Sequence, residues 1–223
     1  FICLFLVMAR SMSISDYSSE IILGEHFLLD PMRIRFVPEK DKHSLDYGAI
    51  SDFVCRGLEK ICRSLSAYNL VQIDAMKKAL CSEGLAKRAQ GSLVWAAFNT
   101  SPHYLGDISG IVMLTPPSPE KEYYFAHSIY VDNKIQRCGI GQRLLTTLVL
   151  YAIEQGAQEI HGDALCSPKS LSANLRMGWK LSSIQLTKYS VCGVPIPFHP
   201  VLLNTTAYRK QHNLLIFQDK NPT

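Results

Sequence analysis

Two glycines one residue apart, Gly139 and Gly141, mark the part of this sequence best suited to chemistry. They lie in the run Val131-Asp132-Asn133-Lys134-Ile135-Gln136-Arg137-Cys138-Gly139-Ile140-Gly141-Gln142-Arg143-Leu144-Leu145. The run reads as a strand end, a tight loop and a helix start. Glycine lets a ligand approach the backbone with no Cβ in the way. The first N–H groups of a helix have no partner within it, and the helix dipole is positive there. Together these features suit a phosphate or pyrophosphate, with Arg137 and Arg143 adding charge beside it. Neither nucleotide pattern fits. A P-loop needs Lys and then Ser or Thr after its second glycine, and a dinucleotide fingerprint needs a third glycine where Leu144 stands. A helix start with ordinary glycines shows the same short pattern, so the surrounding elements must decide.

Those elements are legible from periodicity. Tyr123 to Val131 alternates as a strand, with Tyr123, Phe125, His127, Ile129 and Val131 on one face and Tyr124, Ala126, Ser128 and Tyr130 on the other. A helix follows from about Gly139 to Gln155, with Ile140, Leu144, Leu148 and Ala152 on its apolar face and Gly156 where a C′ glycine belongs. Glu159 to Leu165 is a strand. Ser167 is an N-cap with Pro168 at the first position of a short helix that ends at Gly178. Trp179 to Thr187 reads as another strand, and a Pro-rich stretch, Val194 to Pro200, precedes a last β region within 201–218. Upstream, Met32 to Val37 is a strand, Ser44 to about Leu65 a helix, and Leu70 to Arg88 a second helix with Gly84 as its weak point. Leu93 to Phe98 and Asp107 to Leu114 form a hairpin around the loop 99–106. The strand-helix-strand-helix order in the middle implies a parallel pair on one sheet, and no composition break marks a linker. The expectation is one α/β domain, with Trp95 and Trp179 as core aromatics.

In that setting the glycine run resembles motif A of the GNAT N-acetyltransferase superfamily, Q/R-x-x-G-x-G/A, filled here by Gln136, Gly139 and Gly141. Val131 and Leu144-Leu145 also stand where that family has them. Upstream, the strand, two helices and hairpin match its N-terminal order. Downstream, Gly178-Trp179 resembles its Gly-aromatic step into the sixth strand. The resemblance spans residues 32 to 190. It implies a single GNAT-like domain over 32–218, a mixed central β-sheet flanked by helices with a splayed parallel strand pair. Residues 1–31 are a lead outside it.

The resemblance implies acetyl-CoA, or another acyl-CoA, as co-substrate and no metal. The pyrophosphate would lie on backbone amides of Arg137, Cys138, Gly139, Ile140, Gly141 and Gln142, with Gln136 heading the motif. Main-chain groups of Ile129 and Val131 would bond the pantetheine arm between the fourth and fifth strands. The activity would be that of an N-acetyltransferase, a primary amine of a small molecule or protein attacking the thioester directly in a ternary complex. Such a reaction uses a base that titrates near neutrality, and His127 is the candidate, four residues before Val131 on the same face. Asn174 holds the place where many members carry a Tyr as general acid, and Ser167 replaces a frequent Asn. Direct transfer speaks against Cys138 as a nucleophile. The absent Tyr keeps an alternative open, a non-catalytic GNAT-like CoA-binding regulatory module.

Other polar residues read two ways. His161 and Asp163 share a strand face and form either a catalytic pair or an ordinary hydrogen-bonded rim. Asp46, Asp52, Glu59 and Asp74 either attract a cationic amine or belong to a solvated helical face.

Composition sets the limits. The chain has 223 residues, 47% hydrophobic and 19% charged, which excludes a disordered chain. A net charge of +4 suits an anionic ligand but is too small and dispersed for nucleic acid. Seven cysteines without a C-x-x-C or zinc-ligand spacing point to free thiols in a reducing, cytoplasmic compartment. The apolar stretch Phe1 to Ala9 would make about 14 Å of helix, half a bilayer core, so no stable membrane insertion is expected. It reads as a precursor tail or an over-extended translation.

Overall fold

The computed structural model describes residues 32–63, 68–99, 108–135 and 139–212. Its strands are Met32–Val37 (β1), Leu93–Asn99 (β2), Ile108–Thr115 (β3), Tyr124–Val131 (β4), Glu159–Leu165 (β5), Lys180–Leu181 (β6), Thr187–Val191 (β7) and Val194–Asn204 (β8). They make one sheet in the order β1-β2-β3-β4-β5-β8-β6, with β7 also beside β8. Among the described residues only β4 and β5 pair in parallel, and every other ladder is antiparallel. The sheet is thus mixed and belongs to a single α/β domain, as the element order implies.

Both faces of the central strands are covered. Helices Tyr47–Arg63 (α1), Leu70–Ala79 (α2) and Ser82–Gln90 (α3) lie on one side. There Ile50, Phe53, Val54, Leu58 and Cys62, spaced by three and four, pack on Val94, Ala96, Ile111 and Met113. Helix Ile140–Glu154 (α4) lies on the other, burying Leu144, Leu148 and Ile153 against Trp95, Val112 and Leu114. This is why Ser109 to Leu114 of β3 are buried without alternation. Each such aliphatic side chain contributes about 1.5–3 kcal/mol on burial. Trp95 sits between Phe36 and Tyr151, with ring centroids 5.5 and 5.3 Å away, and Trp179 is buried in the same core.

Five expectations change. The 70–88 helix divides at Leu80 and Cys81 rather than at Gly84, because Cys81 caps α3 by accepting from the Gly84 amide. The strand expected over 179–187 shrinks to Lys180–Leu181, and pairing resumes in β7. The Pro-rich stretch is itself strand, the first half of β8. The carbonyls of Pro195 and Pro197 accept from the Gln72 and Tyr68 side chains, on the edge away from β7. The prolines' missing N–H groups face that same edge, so no ladder bond is lost. The β region expected over 201–218 closes at Asn204, which caps a helix, Thr205–Gln211 (α6).

The fifth change concerns β4. Ile111 of β3 faces Tyr130, and Met113 faces His127, so two steps along β3 match three along β4. The extra residue is Ser128, a bulge with φ 55°. Before it, Tyr124 and Ala126 face α4; after it, Ile129 and Val131 do, while Tyr130 faces α1–α3. His127, opposite in parity to Ala126, therefore faces α1–α3 and does not share a face with Val131. A strict period of two cannot survive an inserted residue.

Tyr68 ties the helical layer to the sheet. Its hydroxyl donates to the Pro197 carbonyl and accepts from the Cys166 amide, both at 2.8 Å. Tyr68→Phe strands both groups in a buried place and is expected to cost about 2 kcal/mol, read as a lowered urea midpoint with an unchanged slope.

Candidate active site

The parallel ladder between β4 and β5 is short. Tyr124 faces Ile160, Phe125 faces His161 and Ala126 faces Gly162, and there the pairing stops. A Cβ on Gly162 would lie 3.0 Å from the Ala126 carbonyl oxygen, so the last rung has no room for a side chain. Two residues past that rung the Ser128 bulge bends β4. The strands part into a fork. The Asp132 amide donates to the Ser109 carbonyl of β3, 2.9 Å away. Backbone groups alternate between edges, so those of Ile129 and Val131 point the other way, into the fork.

The mouth of the fork meets α4. Gly139 is its N-cap, at φ 75°, with no side-chain capping bond. The first helical bond is from the Arg143 amide to the Gly139 carbonyl, 2.9 Å. The amides of Ile140, Gly141 and Gln142 precede it and have no acceptor within the helix. Ile140 and Leu144 are buried and anchor this end of the helix. A Cβ on Gly141 would lie 3.4 Å from Val131 Cγ2, so the strand end and the first helical turn adjoin. Gln136, Arg137 and Cys138 lie outside the described residues. The donors that can be placed lie together at the open end of the fork, at the positive end of the α4 dipole.

At the closed end stand His127 and Asp163, the first residue of each strand past the last rung. Ile160 and Ala164 face α4, so Asp163 faces the α1–α3 side with His127. Three hydroxyls surround the His127 ring. Nε2 is 3.0 Å from Ser92 Oγ and 3.0 Å from Thr115 Oγ1; Nδ1 is 2.9 Å from Ser128 Oγ. Burial pushes its pKa down to about 4, and the Arg88 charge adds to this. His127 is therefore neutral at pH 7, but a weaker base than one matched to neutrality. The Ser128 hydroxyl also interacts with Tyr130, whose phenol burial pushes up.

The remaining candidates have other partners. The Asn174 amide nitrogen donates to the Ser170 carbonyl one turn back in helix Pro168–Arg176 (α5), at 2.9 Å. Ser167 caps α5 by accepting from the Ser170 amide. His161 stacks on Tyr123, centroids 4.0 Å apart, and lies 3.5 Å from the Glu159 carboxylate. Asp46 and Asp52 line a separate cleft of about 840 Å³ beside Arg35, Arg56 and Lys134, and Glu59 pairs with Lys77 at 3.2 Å. The sequence reading missed the hydroxyl cluster around His127. Ser92 and Thr115 carry no linear signal, being strand-end residues that converge only when β2, β3 and β4 align.

Residues 60–165 match the acetyltransferase (GNAT) family, a span that runs from the end of α1 through the fork and α4 to the end of β5. The chain carries the GNAT fold. The GCN5-related N-acetyltransferase from Rhodopseudomonas palustris is similar at 19% identity and a TM-score of 0.58, over 77% of this chain and 94% of its own. The PaiA N-acetyltransferase from Thermoplasma acidophilum, solved with coenzyme A, is similar at 14% identity and a TM-score of 0.57, over 78% and 98%. The yncA protein from Salmonella typhimurium, solved with its cofactor acetyl-CoA, is similar at 16% identity and a TM-score of 0.50, over 79% of this chain and 95% of its own. No curated protein sequence matches this chain. Among the described residues no group of His, Cys, Asp and Glu could hold a metal ion, and no helix is long and apolar enough to cross a membrane.

The pKa of His127 has a consequence for stability. An unfolded histidine titrates near 6.5 and His127 near 4, so between these values the unfolded chain binds more protons. Stability falls as pH drops through that window, by about 3 kcal/mol in all. Urea unfolding of the wild type and His127→Gln at pH 7, 5.5 and 4.5 is expected to show a gap that changes with pH.

Proposed function

We propose that this protein is an N-acetyltransferase that moves an acetyl group from acetyl-CoA to a primary amine. The observation that carries the reading is the forked β4–β5 pair opening onto the side-chain-free N-cap of α4. An uncapped helix start suits a pyrophosphate, and strand edges past the last rung suit an extended ligand that carries amides. The solved neighbours with coenzyme A and acetyl-CoA support this choice of donor. On this reading Gly139, Ile140, Gly141 and Gln142 hold the pyrophosphate together with Gln136, Arg137 and Cys138, and the main chain of Ile129 and Val131 holds the pantetheine arm. No residue set for a metal enters.

The amine nitrogen attacks the thioester carbon, a C–N bond forms, and the C–S bond breaks with its electrons passing to sulfur. The amine must shed a proton. His127 receives it by way of the Ser128 hydroxyl, its partner at 2.9 Å. The Asn174 amide is no general acid, so the sulfur departs as thiolate and is protonated from solvent, which a thiol pKa near 8.5 permits. The five described cysteines are free thiols, which supports a reducing compartment such as the cytoplasm.

Calorimetric titration with acetyl-CoA is expected to show binding at micromolar concentration; its absence sinks the reading. Gly139→Val puts a β-branched side chain at a positive φ on the approach to the helix start and is expected to weaken that binding at least about tenfold. Thiol release with a panel of amines tests turnover. There His127→Ala is expected to lower kcat by about 100-fold, and an unchanged pH–rate profile in that variant removes His127 from the mechanism.

A further inference from the structure

This inference rests on the acetyltransferase reading and deepens it by naming residues that prepare the base. His127 touches three hydroxyls, and the proposed reaction uses only that of Ser128. The other two, Ser92 Oγ and Thr115 Oγ1, each lie 3.0 Å from Nε2 and 3.2 Å from one another. Among the described residues neither hydroxyl has another hydrogen-bond partner. The ladders explain why they meet. Thr115 ends β3 and faces Phe125, and Ser92 directly precedes β2, whose Leu93 faces Leu114. Both therefore lie level with the start of β4, at the closed end of the fork. Ser128 follows His127 toward the open end. The imidazole thus spans the two ends, with Nε2 toward the closed one and Nδ1 toward the open one.

Ser92 is buried and held by both of its main-chain groups. Its amide donates to the Ala89 carbonyl at the end of α3, 3.2 Å away. Its carbonyl accepts from Lys42 Nζ at 2.5 Å. Lys42 belongs to the 3-10 helix Glu39–Ser44, is itself buried, and also pairs with Glu39. A buried ammonium needs partners, and here one of them is the turn that carries Ser92. The Ser92 hydroxyl is therefore placed on the ring by fixed backbone rather than by a mobile loop. Around His127, α3 contributes Arg88, β4 the Tyr130 phenol, β5 Asp163 and the 3-10 helix Lys42. Among the described residues none of these four hydrogen-bonds the ring, so hydroxyls alone decide which nitrogen carries its proton.

We propose that Ser92 and Thr115 are positioning residues that keep the His127 ring proton on Nε2, so that Nδ1 stays open to the proton arriving through Ser128. A neutral imidazole has one N–H and one lone pair, and its neighbours decide which nitrogen has which. A lone pair serves one donor well, whereas an N–H can be shared between two oxygens. Nε2 has two oxygens beside it and Nδ1 has one. When the amine attacks, its proton passes to Ser128 Oγ as the Ser128 proton passes to Nδ1. The imidazolium then donates from Nε2 to Ser92 and Thr115, and hydrogen bonds from a charged donor are the stronger kind. Once product has left, the Nδ1 proton returns to solvent through Ser128. The ring ends the cycle in the tautomer in which it began.

Nitrogen NMR of the isotope-labelled full-length protein at pH 7 reads the tautomer directly, with neither acetyl-CoA nor amine present. The His127 signals are identified by their loss in His127→Gln. The wild type is expected to carry the ring proton on Nε2. Ser92→Ala combined with Thr115→Val removes both oxygens and should move the proton to Nδ1, where Ser128 still accepts it. In turnover assays the same double variant should lower kcat at least about tenfold, the effect of one lost hydrogen bond to a charged group, and leave the acetyl-CoA KM alone. Thr115→Ser retains the hydroxyl pair and should keep the Nε2 signal. A ring proton on Nδ1 in the wild type overturns the inference, and that reading needs no variant to fold. A double variant that keeps the wild-type tautomer overturns it as well. Calorimetry with acetyl-CoA reads the donor site separately. Failure there, with the proton on Nε2 and moved by the double variant, overturns the acetyltransferase reading and leaves the placement of the ring proton standing.

Discussion

The ladder between β4 and β5 ends at Ala126 and Gly162, and the functional architecture depends on that ending. Had the ladder continued, the edges of both strands would have satisfied each other, and no extended ligand could lie between them. Two local features stop it. Gly162 lets the strands close tightly at the last rung, and the Ser128 bulge adds a residue that bends β4 and reverses which side chains face which layer. The bulge sends Ile129 and Val131 toward α4 and leaves His127 and Tyr130 on the α1–α3 side. On the proposed reading, donor-facing backbone and acceptor-facing side chains are thus separated within a few residues of one strand.

Electrostatics divides along the same line. The mouth of the fork is positive, through the α4 N-terminus. The closed end is occupied by a histidine kept neutral by burial and by the half-buried Asp163 carboxylate. The donors around His127 are hydroxyls, which adapt to either tautomer and satisfy both ring nitrogens without bringing in charge.

Much of the fold was legible in the sequence because its signals are local. Alternating or helical periodicity located β1, α1, the β2–β3 hairpin, α4 and β5, and capping residues marked Ser167 and Gly156. The errors fall where a tertiary partner decides. Pro195 and Pro197 looked like strand breakers until α2 and Tyr68 met their carbonyls on the edge away from β7. The α2–α3 break sits at Cys81, whose thiol makes a cap that no propensity scale anticipates. Asn174 stands at the position a family Tyr would occupy, yet its side chain bonds its own helix.

By itself the sequence determined where the glycine-led helix start lies, because Gly139, Gly141 and an amphipathic helix start are contiguous. It determined the two-sided core in the same way, through spacing. Only the tertiary structure decided which side of the sheet each group at the fork would face. That depends on one inserted residue in β4, which has no signature in residue type. It also decided that Ser92, Thr115 and Ser128 enclose His127. These contacts join residues up to 35 positions apart, and they exist only once the ladders have set the strands in register.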